Sequence, residues 1–151
     1  MGNMNHKELN FKHTEKLQIR FNDIDMLGHI NNISIQEFFD LGRIKYLTKT
    51  LGNLLDTKSK HLVIVSYKTS FFSQILFDDK IEVKTKVYEI GNKSIKMAQA
   101  VVDENGKTMA TNDCVLVGFD FQKNESTKIP QLWKDALTKF EDNEINLNKD
   151  R

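Results

Sequence analysis

The chain has 151 residues, 22 basic against 21 acidic side chains and a formal net charge of +1. Because this balance gives no strong field of either sign, it argues against nucleic acid or a charged membrane surface as a partner. The length fits one domain with a sizeable core, and a single cysteine, Cys114, excludes an internal disulfide framework. No apolar run reaches the roughly 20 residues that span a bilayer, and the N-terminus does not resemble a signal peptide. We therefore expect a soluble cytoplasmic protein.

The two ends of the chain differ from its middle in composition. Residues 1–13 and 142–151 are mostly polar, so we expect both segments to be mobile and a single domain to occupy residues 14–141. At the start of that domain Leu17, Ile19 and Phe21 alternate with polar residues. This alternation predicts a half-buried strand.

A long helical pattern follows from about residue 33. Apolar or small side chains recur at helical spacing on one stripe, which consists of Ile35, Phe38, Phe39, Gly42 and Tyr46. Leu41, Ile44, Leu47 and Leu51 form a second apolar stripe. The pattern therefore predicts a long helix that is covered on most sides.

The chain after this helix has the pattern of strands. Four apolar or alternating runs predict strands at residues 62–72, 81–87, 95–102 and 109–121. Tight turns near residues 91–92 and 104–106 join antiparallel neighbours, and a short amphipathic helix follows Pro130. The sequence predicts an α+β domain in which an antiparallel sheet of about five strands wraps around one long central helix.

The polar chemistry of the chain is concentrated in residues 20–32, between the first predicted strand and the helix. The polar side chains that surround the glycine Gly28 are Asp23, Asp25, His29, Asn31 and Asn32. Gly28 lets the backbone turn sharply, and the free N–H groups of the helix N-terminus favour negative charge that develops nearby. This arrangement suits hydrolysis of a carbonyl compound.

Other roles stay open for the same residues. An aspartate such as Asp25 also forms turns and helix caps, whereas Asp23 is best explained as a structural acceptor for Arg20. His29 either orients substrate or water or makes a structural hydrogen bond. The residues that could cap the helix are Asn31, Asn32 and Ser34. A metal site built from Asp23, Asp25 and His29 matches no standard ligand spacing, so we expect no metal.

The segment from Asp23 to Asn32 resembles the Asp-x-Asp-x-x-Gly-His-x-Asn-Asn signature of hotdog-fold acyl-CoA thioesterases, the 4-hydroxybenzoyl-CoA thioesterase-like group. The segments 38–43 and 67–72 are similar to that group's helix and second strand, and the similarity covers about residues 15–121. The resemblance implies a hotdog domain that pairs into homodimers, often associated as homotetramers, with active sites at the dimer interface.

The resemblance also implies the activity and its residues. Members of the group cleave acyl thioesters of coenzyme A without a metal or organic cofactor. The catalytic carboxylate falls on Asp25, as nucleophile or general base, and the N–H near Asn32 polarises the thioester carbonyl. The residues expected to support substrate or water are His29 and Asn31, with Gly28 and Ile33 expected as substrate-binding positions.

Two alternatives to an acyl-CoA thioesterase remain, a thioesterase acting on acyl carrier protein and a non-catalytic module that binds acyl thioesters. Ser70 and Phe71 stand where relatives often have proline, and residues 33–35 replace a small-aromatic pattern, which could reshape the acyl pocket. Six lysines either contact the phosphates of coenzyme A or are simply solvated, and they are Lys58, Lys60, Lys84, Lys86, Lys93 and Lys96.

Overall fold

The computed structural model describes residue 6 and residues 9–148. One long helix, α1 (Asn32–Thr50), packs against a curled antiparallel sheet. The five long strands of the sheet are β1 (His13–Leu17), β2 (Lys60–Phe71), β3 (Ile81–Ile90), β4 (Ser94–Asp103) and β5 (Thr108–Asp120). Their spatial order is β1-β3-β4-β5-β2, so β2 lies at one edge of the sheet within the described residues. This architecture confirms the predicted fold class.

The other elements are β6 (Glu125–Ser126), α2 (Gln131–Phe140), β7 (Asn146–Leu147) and two short 3-10 turns at Phe21–Asp23 and Gly52–Leu54. Helix α2 buries Trp133 and Leu137 and follows Pro130 as expected. β7 pairs in parallel with the end of β3, within the segment expected to be a mobile tail. The domain limits at residues 14 and 141 stay predictions. Neither helix in the described part of the chain is both long and apolar enough to cross a bilayer.

The core lies between α1 and the concave face of the sheet. All five residues of the predicted first stripe are buried there. Gly42 permits the closest approach, because a Cβ at this position would lie 2.7 Å from Cγ1 of Val83 on β3. In the second stripe Leu47 and Leu51 are buried, whereas Leu41 and Ile44 are exposed, with Ile44 61% accessible. The prediction of a helix covered on most sides is therefore wrong for the single chain, since the sheet covers one side only.

The first strand lies earlier in the chain than the alternation predicts. β1 ends at Leu17, and residues 21–23 form a short 3-10 turn in which Phe21 is 82% exposed. The Asp23 carboxylate accepts a hydrogen bond from the backbone N–H of Arg20 (2.8 Å), which holds this turn. A side-chain oxygen thus accepts a backbone hydrogen bond that would otherwise go to a neighbouring strand. The prediction that the first strand reaches Phe21 is wrong.

A buried ion pair joins α2 to the rest of the fold. Lys86 on β3 donates to Glu141 across 3.0 Å, and both side chains are almost completely buried. Glu141 also accepts a 2.6 Å hydrogen bond from the Tyr46 hydroxyl on α1. Lys86 is therefore not one of the solvated or phosphate-binding lysines that the sequence suggests.

Candidate active site

Helix α1 begins at a cap supplied by Asn31. Its side-chain oxygen accepts from the N–H of Ile33 (2.9 Å), and its own N–H donates to the carbonyl of Asp23 (2.7 Å). The structure thus assigns the cap to Asn31 among the three candidates. Asn32 is the first helical residue, and its N–H has no acceptor among the described residues. A free donor at this end of a helix favours a negatively charged oxygen.

Just before the helix, residues 25–29 form a closed turn. The N–H of Asp25 donates to the carbonyl of His29 (2.8 Å), and the N–H of Gly28 donates to the carbonyl of Asp25 (3.1 Å). Gly28 has φ +80°, a conformation that side-chain-bearing residues rarely adopt. One carboxylate oxygen of Asp25, Oδ1, accepts from the N–H groups of Leu27 (2.9 Å) and His29 (3.2 Å).

The second carboxylate oxygen of Asp25 is free of this turn. Within the described residues Oδ2 accepts no hydrogen bond, and the side chain is exposed. Asp25 therefore forms the turn through one oxygen and leaves the other without a hydrogen-bond donor among the described residues, and its catalytic role stays a prediction.

The turn is fixed to the segment that follows β2. The N–H of Ile30 donates to the carbonyl of Ile75 (2.8 Å), and the backbones of His29 and Leu76 form an isolated antiparallel β-bridge. A cavity of about 550 Å³ lies at this junction. Its lining residues are Asp25, Leu27, His29, Ile30, Asn32, Ile35, Phe71, Phe72, Ser73, Gln74 and Ile75.

Three of the six predicted site residues, Asp25, His29 and Asn32, line this one cavity. The other three lie next to it without lining it. Gly28 shapes the turn and Asn31 caps the helix, whereas Ile33 is 70% exposed. The chemical roles assigned to all six residues stay predictions.

Asp23 has a different environment from Asp25, because its carboxylate is buried. Burial alone would raise its pKa, but hydrogen bonds from the backbone and guanidinium of Arg20 and from Ser34 outweigh it, so the pKa lies below the ordinary value. The guanidinium contact is 3.1 Å long. Asp23 is thus the structural acceptor that the sequence analysis favours, and it holds the chain just before the cavity.

The wall of the cavity formed by residues 71–75 is not identified as part of a site by the sequence. Only Phe71 stands out there, as a departure from the family pattern beside the acyl pocket. These residues lie more than 40 positions after the Asp25 turn, and no local pattern indicates that the two segments meet. Within the described residues, no group of three or more His, Cys, Asp and Glu side chains is arranged to hold a metal ion.

Comparison with known proteins identifies the family. A model described as the thioesterase-like superfamily matches residues 19–137. The chain belongs to the thioesterase-like superfamily. This membership confirms the resemblance seen in residues 23–32 and assigns the chain to the thioester hydrolases as a class.

The chain is also similar to individual proteins over most of its length. An uncharacterised protein of Bacillus subtilis (strain 168), YsmA, is 25% identical over 127 residues, covering 84% of this chain and 86% of that protein. The solved structure of PA5185 from Pseudomonas aeruginosa PAO1 is 28% identical, with a TM-score of 0.75, and covers 86% of this chain and 92% of that one.

A thioesterase from Thermus thermophilus, solved with coenzyme A and zinc, has a TM-score of 0.74 at 24% identity and covers 87% of this chain and 96% of that one. At this identity the likeness shows the fold, and it confirms the hotdog architecture.

Proposed function

We propose that this thioesterase-like protein hydrolyses acyl-CoA thioesters, with Asp25 as the catalytic carboxylate. The observation that carries the proposal is that Asp25, with an unengaged carboxylate oxygen, lines the same cavity as Asn32, whose N–H opens α1. A carboxylate and an oxyanion donor are the two groups that cleavage of a thioester carbonyl requires.

Two routes use these groups. In the first, Oδ2 of Asp25 attacks the carbonyl carbon, the C–S bond breaks, and water then hydrolyses the resulting anhydride. In the second, Asp25 takes a proton from a water molecule that attacks the same carbon, the C–S bond breaks, and the proton passes to the leaving sulfur. Both routes consume one water and release a carboxylate and the coenzyme A thiol. In both, the N–H of Asn32 stabilises the carbonyl oxygen as it becomes negative, an effect worth about 10²–10³ in rate for one donor.

The neighbouring residues take supporting roles in this proposal. His29 borders the cavity, where it can orient the thioester or water. Asn31 fixes the helix start, and Gly28 fixes the turn that presents Asp25. Ile33, exposed on the first turn of α1, contacts substrate or the second subunit. No step of either route requires a metal ion or an organic cofactor.

We further propose that the protein is a homodimer or homotetramer whose active site lies between subunits. Large apolar side chains are exposed around the turn and the start of α1, and they are Phe21, Met26, Leu27, Ile33 and Phe72. The edge strand β2 also exposes Ile64, Val65 and Tyr67. Exposed apolar clusters and an unpaired strand edge are both features that a second copy would cover.

The alternatives are a thioesterase for acyl carrier protein and a binding module without turnover. Both leave the fold unchanged, so substrate measurements must separate them. The free carboxylate oxygen of Asp25 favours turnover over simple binding. A cytoplasmic location agrees with an acyl-CoA substrate and is part of the proposal.

The test is release of free thiol from a panel of acyl-CoAs, from acetyl to palmitoyl together with benzoyl forms. The same acyl groups are then presented on acyl carrier protein. Faster hydrolysis of the acyl-CoAs supports the proposal, and faster hydrolysis of the carrier-protein thioesters supports the first alternative. If a folded, oligomeric protein binds acyl-CoA and releases no thiol from either carrier, the protein is a binding module.

A further inference from the structure

A second cavity, here called the outer cavity, lies on the sheet face that points away from α1. Val83 and Val101 belong to the core beneath α1, so their strand neighbours Lys84, Ala100 and Val102 point to the opposite face. The outer cavity has a volume of about 760 Å³. Its lining residues are His6, Phe11, Phe72, Lys84, Ala100, Val102, Gly106, Lys107, Thr108 and Thr111.

The outer cavity adjoins the candidate active site. Phe72 lines both cavities and is 64% exposed between them. Its backbone N–H donates to the carbonyl of Met109 (2.9 Å), which places it beside the start of β5. Lys84 lies on β3, three strands from β2 in the sheet order. At about 4.8 Å per strand the outer cavity extends about 14 Å from Phe72, a span within reach of an extended pantetheine chain.

The charge of the outer cavity has one sign. Its lining contains the lysines Lys84 and Lys107 and no aspartate or glutamate. Neither ammonium group forms an ion pair with a described residue. Asp103, in the same turn, accepts instead from the backbone N–H of Lys107 (2.9 Å), and Asp113 lies 3.3 Å from the His6 ring of the lining. Two unpaired ammonium groups in a concave site attract a phosphorylated ligand.

Four other lining residues are apolar or aromatic and suit a flat aromatic ring. Ala100 and Val102 are buried and form an apolar floor, and Phe11 and Phe72 also line the cavity. Aromatic side chains of this kind are stacking partners for nucleobases. Two lysines beside apolar and aromatic lining residues are features that suit a purine nucleotide.

We propose that the outer cavity binds the phosphorylated adenosine end of coenzyme A while the thioester lies beside Asp25. Lys84 and Lys107 contact the phosphates, and Phe72 separates the nucleotide from the reacting end. This inference rests on the proposed function for its acyl end. It also favours free coenzyme A over acyl carrier protein, because the carrier has no adenosine for the cavity to bind.

The first test measures binding of adenosine 3′,5′-bisphosphate by calorimetry, which needs no turnover. We expect Lys84→Ala and Lys107→Ala each to weaken binding about tenfold, since each removes one charge-assisted contact. Lys123→Ala is the matched control, because Lys123 lies in the turn at the opposite end of β5, and it should bind within about twofold of the wild type. Equal binding by all four proteins, or no binding by the wild type, overturns the proposal.

The second test compares carriers and simple anions. Inorganic phosphate should displace the bisphosphate poorly, and equally tight binding of phosphate would make the cavity a general anion site and overturn the assignment. With substrate, Lys84→Ala should raise KM for acyl-CoA about tenfold, with kcat little changed, and leave KM for the matching acyl-pantetheine thioester within about twofold. An equal rise for both substrates contradicts the proposal. If the bisphosphate binds through both lysines and no thioester is hydrolysed, the nucleotide site stands and only the proposed hydrolysis fails.

Discussion

Asp25 and Asp103 form the same turn at two places in the fold. Each carboxylate accepts hydrogen bonds from the backbone N–H groups two and four residues later, at 2.9 and 3.2 Å for Asp25 and at 2.9 Å for both bonds of Asp103. The glycines three residues later, Gly28 and Gly106, have φ +80° and +81°. The turn explains an aspartate at both positions, so the catalytic role proposed for Asp25 depends on its place beside Asn32.

The equivalence of the two turns gives a prediction about stability. Asp25→Asn and Asp103→Asn each retain an acceptor oxygen, so each should lower the free energy of unfolding by about 1 kcal/mol or less. Urea denaturation at neutral pH measures both costs. A much larger cost for Asp25→Asn than for Asp103→Asn would mean that the Asp25 carboxylate has a structural role beyond this turn.

The buried carboxylate of Asp23 gives a prediction about pH. Its pKa in the folded protein lies below the ordinary value of 3.8, so the folded state releases this proton more readily than the unfolded chain does. The stabilisation is complete above the unfolded pKa and is lost as pH falls through the folded pKa, between about pH 5 and pH 1.

We therefore expect Asp23→Asn to be less stable than the wild type at pH 7 by about 1–3 kcal/mol. The gap between the two proteins should narrow as the pH falls through the acid range. Chemical denaturation at a series of pH values measures it. A gap that stays constant down to the acid transition would contradict a lowered pKa for Asp23.

The ion pair between Lys86 and Glu141 gives a prediction about the core. Lys86→Met leaves Glu141 buried without its cation, so we expect a loss of about 3–5 kcal/mol in unfolding free energy. The double variant Lys86→Met/Glu141→Gln removes both charges and keeps an acceptor for Tyr46, so it should recover most of that loss. A double variant as unstable as Lys86→Met alone would show that the pair is not an isolated charge couple.

The main elements of this fold follow from periodicity in the sequence. The helical stripe through Phe39 and Tyr46 is the buried face of α1, and the alternating runs are the four long strands after it. The start of the domain is different. The Asp23 carboxylate accepts a hydrogen bond from the backbone N–H of Arg20, and the strand ends at Leu17, although the alternation continues to Phe21. Alternation of apolar residues carries no sign of such a competing acceptor.

The candidate site could be predicted only in part, because a sequence motif shows which residues are near in the chain and not which distant segments meet. Asp25, His29 and Asn32 lie within eight residues, so a local motif could place them together. The opposite wall at residues 71–75, and the burial of Lys86 against Glu141, depend on contacts between distant segments. A single sequence shows which residue types stand at such positions, but it does not show which residues surround them in space.

The edge strand β2 gives a prediction about assembly. Tyr67→Asp places a charge on the exposed edge that we propose pairs with a second subunit, so the variant should shift from dimer or tetramer toward monomer. Light scattering after size-exclusion chromatography measures this change. Leu132→Asp is the control, because Leu132 is exposed on α2 and is not a residue of β2. If both variants keep the mass of the wild type, the interface lies elsewhere.

The central claim is that the Asp25 carboxylate performs the chemistry, and it is tested most directly by steady-state thiol release from the best acyl-CoA substrate. Asp25→Asn is compared with Asp103→Asn, which alters the same turn at the other site. We expect kcat to fall about 10²–10⁴-fold for Asp25→Asn and to stay within about twofold of the wild type for Asp103→Asn. Near-wild-type turnover by a folded Asp25→Asn protein would contradict the claim and leave Asp25 as a turn residue only.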